Sequence, residues 1–254
     1  MVRVPGRGGV GVSGHPNHGA RLTVSHVSYR YGPSWVLNDI TFALPGAALV
    51  VLAGRNGAGK STLLRCLAGW ARPTRGEVFI QGVRVYQHER HARARVLLVP
   101  DTPPFYDELT AWEHVQFVAR ANRLTGWREP AERWLRQFGL WSARDAYPFT
   151  LSRGMRYKLG LCLALMLQPP LLLLDEPLGP LDPVSAGLLW EELERRRGEG
   201  MAILLSSHQT PPADPDRYLL MEDGVLIGDL PGGETADQTL EELLADALDA
   251  QFGG

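Results

Sequence analysis

The chain has only two cysteines, Cys66 and Cys162, among 254 residues. Each stands alone inside an apolar, helix-like pattern. That argues against a disulfide framework or a cysteine metal site and points to buried thiols in a reducing compartment. Charge of one sign is also missing: 26 Lys+Arg against 28 Asp+Glu leave a net charge of −2. Bulk electrostatics therefore give no basis for nucleic-acid binding, and no nucleic acid is expected as a partner. Long apolar runs are absent as well. The most apolar stretch, residues 159–174, is cut by Gln168-Pro169-Pro170 and falls short of the roughly 20 residues a membrane helix needs. It reads as a buried helix, a turn and a buried strand. The N-terminal arginines precede no apolar core, so no signal peptide is expected.

What is present fits one large domain, or a core with a subdomain. Residues 1–20 are glycine-rich, include His15 and His18, and carry too little apolar surface to order themselves; a flexible tail is expected. Strand-like alternation follows at Leu22–Val27 and Val36–Leu44, then Gly76–Gly82 and the apolar Val96–Val99. From Asp101 the pattern becomes helical. A helix is expected within Asp107–Asn122, with Thr110 as N-cap and Glu113 closing a capping box. Two more are expected over Glu129–Phe138 and Ser152–Leu167. The pattern then returns to a strand at Leu171–Leu174, a helix near Val184–Arg197 and a strand at Met201–Ser206. Strands alternating with helices around a helical insertion indicate an α/β core carrying a helical subdomain, placed at about 103–152 within a domain of 21–232. Residues 233–254 read as an acidic tail, partly helical over Thr239–Leu248, of open role.

The chemistry begins at Gly54-Arg55-Asn56-Gly57-Ala58-Gly59-Lys60-Ser61-Thr62. It follows the apolar segment Ala47–Ala53 and opens a helix-like run, the context that makes a glycine loop a phosphate site. Glycines let successive backbone N–H groups turn inward, and the helix N-terminus adds its positive end. Lys60 is expected to reach the β- and γ-phosphates of ATP, and Ser61 to ligate Mg²⁺. More than a hundred residues later, Leu171–Leu174 ends in Asp175-Glu176. A buried strand stopping there sets both carboxylates at the sheet edge where ligands bind. Asp175 is expected to hold Mg²⁺ and Glu176 to act as general base. His208 ends the next strand; locally it reads either as a strand-end histidine without a role or as a donor to the γ-phosphate.

In this order the residues resemble the ATP-binding-cassette (ABC) family over about 22–230. Leu151-Ser152-Arg153-Gly154-Met155 is similar to the family signature, and Leu178-Gly179-Pro180-Leu181-Asp182 to its D-loop. Tyr31 matches the aromatic residue that stacks on adenine, and His208 the switch histidine. The resemblance implies a P-loop NTPase core with a β-rich N-terminal subdomain and an inserted helical subdomain. It implies an ATPase subunit working with membrane-spanning subunits, peripheral on the cytoplasmic face of the cell membrane. A second ATPase subunit would meet it head to tail, with Ser152 and Gly154 completing the ATP site across the interface and Asp182 at its edge. Closure on ATP and opening after hydrolysis would drive the partner by population shift.

Three motifs depart from the family pattern. Asp101 stands where many members have Gln or Glu, which puts its reach to the metal in doubt. Arg153 replaces the first signature Gly, and Met155 the final Gln. The D-loop has Gly179-Pro180 in place of the usual Ser. Ser-x-Gly-Met followed by a basic residue marks an exporter-like branch. The segment Asp101–Thr110 resembles the part of exporter ATPases that faces the membrane subunit, with Phe105 and Tyr106 either receiving the partner or packing inward. The alternatives are a non-transport ABC ATPase and a low-turnover, nucleotide-dependent regulator.

Overall fold

Three central segments are apolar and buried at every position: Leu49-Val-Val-Leu-Ala53, Leu171–Leu174 and Ala202-Ile-Leu-Leu205. A strand without polar alternation must bury both faces, and the computed structural model, which describes residues 19–233 and 238–252, does so. The chain runs β1 (Ala20–Tyr31), β2 (Ser34–Pro45), β3 (Leu49–Ala53), α1 (Lys60–Leu67), β4 (Arg75–Ile80), β5 (Val83–Arg84), α2 (Glu89–Arg93) and β6 (Val96–Val99). It continues α3 (Ala111–Ala121), α4 (Arg128–Gln137), two short 3-10 turns, α5 (Arg153–Leu165), β7 (Leu171–Leu174), α6 (Pro183–Gly198), β8 (Ala202–Ser207), β9 (Arg217–Glu222), β10 (Val225–Pro231) and α7 (Leu240–Phe252).

Six strands form one sheet in the order β10-β9-β3-β8-β7-β6, parallel except for β10. Its strands divide their side chains between two cores. Leu49, Val51, Leu172, Leu174, Ile203 and Leu205 face a cluster shared with α3–α7. Val50, Leu52, Leu171, Leu173 and Leu204 face the opposite cluster, which includes Leu63, Leu64 and Leu67 of α1. The second sheet, β2-β1-β4-β5, is antiparallel and closes that second cluster with Leu22, Val24, Ile40 and Val78. In β1 the buried step lengthens from Leu22–Val24 to Val24–Val27. A register shift falls there, with His26 at φ 52°; this bulge explains why simple alternation fails along the strand.

The α/β core and the helical stretch between β6 and β7 agree with expectation. The capping box forms: Glu113 N donates to Thr110 Oγ1 and Thr110 N to Glu113 Oε2. Both cysteines are buried, and burial pushes the Cys66 thiol up to about 12. Of the tail expected over 1–20, residues 1–18, with His15 and His18, lie outside the described residues. Ala20 already pairs with Pro45, so the strand begins one residue inside that range. The C-terminal stretch is more than an acidic tail. Leu240, Leu243 and Leu244 are buried in the helical-side core, and Leu240 N donates to Thr210 Oγ1 at 3.1 Å.

Candidate functional site

The glycine loop joins β3 to α1 and meets two tight spots. A Cβ at Gly54 would stand 2.3 Å from the Met221 carbonyl oxygen of β9. Gly59, the N-cap of α1, has φ 101°, and a Cβ there would stand 2.9 Å from the Val36 oxygen. The cradle is therefore shaped by the absence of side chains. No side chain caps α1 and no acidic residue lies in its first turn. Its leading N–H groups are thus oriented for an anion.

Lys60 is buried. Its Nζ donates to the carbonyls of Gly54 at 2.6 Å and Arg55 at 3.1 Å, and lies 3.0 Å from Glu176 Oε1. The other oxygen of Glu176 lies 2.8 Å from His208 Nδ1. Asp175, buried at the end of β7, accepts from Ser61 Oγ at 3.0 Å and from Ser206 Oγ at 2.8 Å. Burial pushes its carboxyl up from the ordinary Asp value; those two hydrogen bonds oppose the shift, and the fields of Glu176 and Asp101 add to it. Ser206 Oγ also accepts from the Glu176 N–H at 2.9 Å, so one hydroxyl joins the Asp175 carboxylate to the Glu176 backbone. Glu176 has φ 50°, a left-handed conformation costing about 1–2 kcal/mol in a residue with a Cβ. Beneath the pair, Tyr157 is fully buried, and its phenol donates to the Asp175 carbonyl at 3.4 Å.

Five expected residues thus come together: Lys60, Ser61, Asp175, Glu176 and His208. Ser206 and Tyr157 join them. Sequence reading left both out, because a serine in a strand and a tyrosine in a helix carry no local mark. Ser61 and Asp175 offer oxygen donors only, the chemistry of a hard cation such as Mg²⁺. Among the described residues no group of three or more His, Cys, Asp or Glu is placed to hold a metal.

The remaining candidates sit around this centre. Asn56, Asp101, Arg153, Gly154, Glu176 and His208 line one cleft. Gly57 has a left-handed φ of 90°, and Thr62 is buried in α1. Asp101 accepts from Arg153 Nη2 with both oxygens, at 2.7 and 2.9 Å. Ser152 N-caps α5, its Oγ accepting from Met155 N at 3.2 Å. Asp182 N-caps α6, accepting from Ser185 N at 2.9 Å, and its other oxygen accepts from Lys158 Nζ at 2.5 Å. The Lys158 hydrogen bond, followed by those from Ser185, holds the Asp182 carboxyl well below the usual range. Tyr31 is half exposed at the end of β1, edge-on to Tyr29 with ring centroids 4.9 Å apart.

The segment after Asp101 divides its aromatics. Phe105 packs on the helical-side core, while Tyr106 is 56% exposed. Between them stands buried His114, whose Nε2 accepts from the Tyr106 N–H at 3.0 Å and whose Nδ1 lies 2.8 Å from the Thr110 carbonyl. This histidine, one turn into α3, pins the preceding loop.

The family model described as "ABC transporter" matches residues 37–179. The chain is 35% identical over 216 residues to the "Aliphatic sulfonates import ATP-binding protein SsuB 2" of Pseudomonas aeruginosa (strain UCBPP-PA14), covering 84% of this chain and 76% of that one. It is 35% identical over 212 residues to the "Nod factor export ATP-binding protein I" of Rhizobium meliloti (strain 1021), covering 82% and 63%. A solved structure described as "ATP binding subunit of ABC transporter" superposes with a TM-score of 0.80 at 30% identity, over 89% of this chain and 98% of that one.

Proposed function

This chain belongs to the ABC transporter family as an ATP-binding, ATP-hydrolysing subunit, and from that premise we propose how its residues divide the work. The carrying observation is the Glu176 carboxylate, one oxygen 3.0 Å from Lys60 Nζ and the other 2.8 Å from His208 Nδ1. The loop amides and Lys60 bind the β- and γ-phosphates of ATP, which take over the ammonium from Glu176. Ser61 and Asp175 would hold Mg²⁺, which would supply positive charge to neutralise the phosphates. Glu176, released from Lys60 but still held by His208, accepts a proton from the attacking water. Tyr31 stacks on the adenine.

Ser152 and Gly154 serve the nucleotide held by a second ATPase subunit, and Asp182 supports that edge by fixing the start of α6. Among the described residues no helix is long and apolar enough to cross a membrane. The transporter ATP-binding relatives support membrane-spanning partner subunits that carry the transported molecule, with this chain working on the cytoplasmic face of the membrane and no nucleic acid partner. The exposed Tyr106 beside inward-packed Phe105 supports a docking segment for such a partner. The Ser152–Met155 signature supports an exporter-like system. We place the ATPase domain at 21–232 with helices inserted over about 103–152, a reading supported by the run from β1 to β10. A low-turnover regulator is the second reading, favoured by Asp101 being held by Arg153.

Steady-state hydrolysis by wild type and Glu176→Gln, with and without membrane partner, tests the assignment. We expect Mg²⁺-dependent turnover in wild type, and in the variant a loss of about 10²–10⁴-fold with ATP retained in a dimer. Absence of turnover in wild type with its partner would establish the regulator; failure of the variant to trap an ATP-bound dimer would remove Glu176 as the base.

A further inference from the structure

His208 sits at the tip of a turn that is held from both sides. The chain enters the turn through Ser207, the last residue of β8, which pairs with Ala53 of β3. The Ser207 carbonyl accepts from the N–H of Gly54, the first residue of the glycine loop, at 3.3 Å. The Ser207 side chain is buried and reaches past His208: its Oγ donates to the Gln209 carbonyl at 2.6 Å and accepts from the Gln209 N–H at 3.0 Å. One hydroxyl thereby clasps the backbone on both sides of the histidine. The ring that this clasp presents has its Nδ1 2.8 Å from Glu176 Oε2.

The far side of the turn rests on α7. Thr210 is exposed, yet its Oγ1 accepts from the N–H of Leu240, the first residue of α7 and 30 residues further on, at 3.1 Å. Leu240, Leu243 and Leu244 are buried in the helical-side core, so the donor belongs to an element packed in place. α7 also reaches the site itself. Glu241 and Leu244 line a cavity of about 320 Å³ together with Gly54, Arg55, Asn56 and His208. The helix therefore touches both the turn that carries His208 and the space beside the glycine loop.

We propose that Ser207 and Thr210 are positioning residues for His208, and that α7 is a working part of the hydrolytic site. Docked, α7 fixes the far end of the turn and keeps the imidazole on Glu176. This rests on the reading of His208 as the residue that holds the general base. A proton-transfer step is sensitive to side-chain misplacement of about 1 Å, whereas ATP binding draws on the loop amides and Lys60. Loosening the turn or α7 should therefore slow hydrolysis and leave ATP affinity nearly unchanged.

Single-turnover hydrolysis and fluorescent-ATP titration of the full chain test this with Thr210→Val, Thr210→Ser, Ser207→Ala and Leu244→Ala, each made in wild type and in His208→Ala. Thr210→Val and Leu244→Ala should each lower the hydrolysis rate about 2- to 10-fold, the span of one lost hydrogen bond, with ATP affinity held within about twofold. Thr210→Ser keeps the acceptor and should restore the rate. Ser207→Ala opens the clasp beside the ring and should cost more, about 10- to 100-fold. None of these changes should slow His208→Ala further, because a residue acting through the histidine then has nothing left to position. Equal losses in both backgrounds, a loss of ATP affinity that matches the loss of rate, or a Thr210→Ser variant as slow as Thr210→Val would overturn the proposal and leave the His208 assignment standing. An unchanged rate in His208→Ala itself would remove that assignment, and the positioning roles with it.

Discussion

Lys60 Nζ stands 3.0 Å from Glu176 Oε1, joining the helix after the glycine loop to the second residue after β7. Both side chains are largely withdrawn from solvent, 5% and 17% exposed, so the pair is a preformed contact between the halves proposed to bind phosphate and to activate water. On the proposed assignment, bound ATP separates them. Lys60→Ala should therefore weaken ATP binding about 10- to 100-fold, the loss of a charge-assisted contact, while His208→Ala should mainly lower kcat, by about 10²-fold. Equilibrium titration with a fluorescent ATP analogue and single-turnover hydrolysis separate the two effects.

Ser206 offers a sharper probe, since its hydroxyl donates to Asp175 and accepts from Glu176 N. Ser206→Ala leaves a buried carboxylate and an amide each short of one partner, at about 1–3 kcal/mol. Thermal melts should fall, and hydrolysis should fall further than ATP affinity. Ser206→Thr, which keeps the hydroxyl, should recover most of the melting temperature.

The cradle depends on backbone approach. Gly54→Ala places a methyl 2.3 Å from the Met221 oxygen, forcing β9 or the loop to move at about 1–3 kcal/mol. For a chain of this size that is a drop of roughly 3–10 °C in melting temperature. ATP affinity, measured by titration, should fall with it.

Acid should act on Asp182. Its folded-state carboxyl is held below the ordinary value, first by Lys158 and then by Ser185. The stability it contributes is complete above the unfolded Asp value and is lost as pH falls toward the depressed folded value. Asp182→Asn keeps the helix cap but loses the Lys158 charge, so wild type and variant should differ in denaturant midpoint at neutral pH. The gap should close as the solution is acidified below pH ~4.

Much of this was legible from residue order. The apolar runs at Leu49, Leu171 and Ala202 announced doubly buried strands, and Thr110 with Glu113 announced where α3 starts, because these signals act within one turn or one strand. The β9–β10 hairpin escaped, although Asp223-Gly224 carries its signal; both residues have positive φ, 43° and 78°, as a tight hairpin turn requires. The roles of Ser206, Tyr157 and the Asp101–Arg153 pair were not legible. Their partners lie 18 to 52 residues away, and only the packed sheet and α5 bring them within reach. Docking of α7 was hidden for a similar reason: Leu240, Leu243 and Leu244 look like one side of an acidic helix until the core they cover is in place.

The central strands carry a further consequence through their divided leucines. β3, β8 and β7 each have a neighbouring strand on both edges and a hydrophobic layer on both faces. No fluctuation that lifts one layer alone can expose their amides to solvent. Those amides should therefore exchange with deuterium only when the whole molecule opens, giving a direct readout of global stability. The short edge strand β5 and the edge strand β10 should exchange long before.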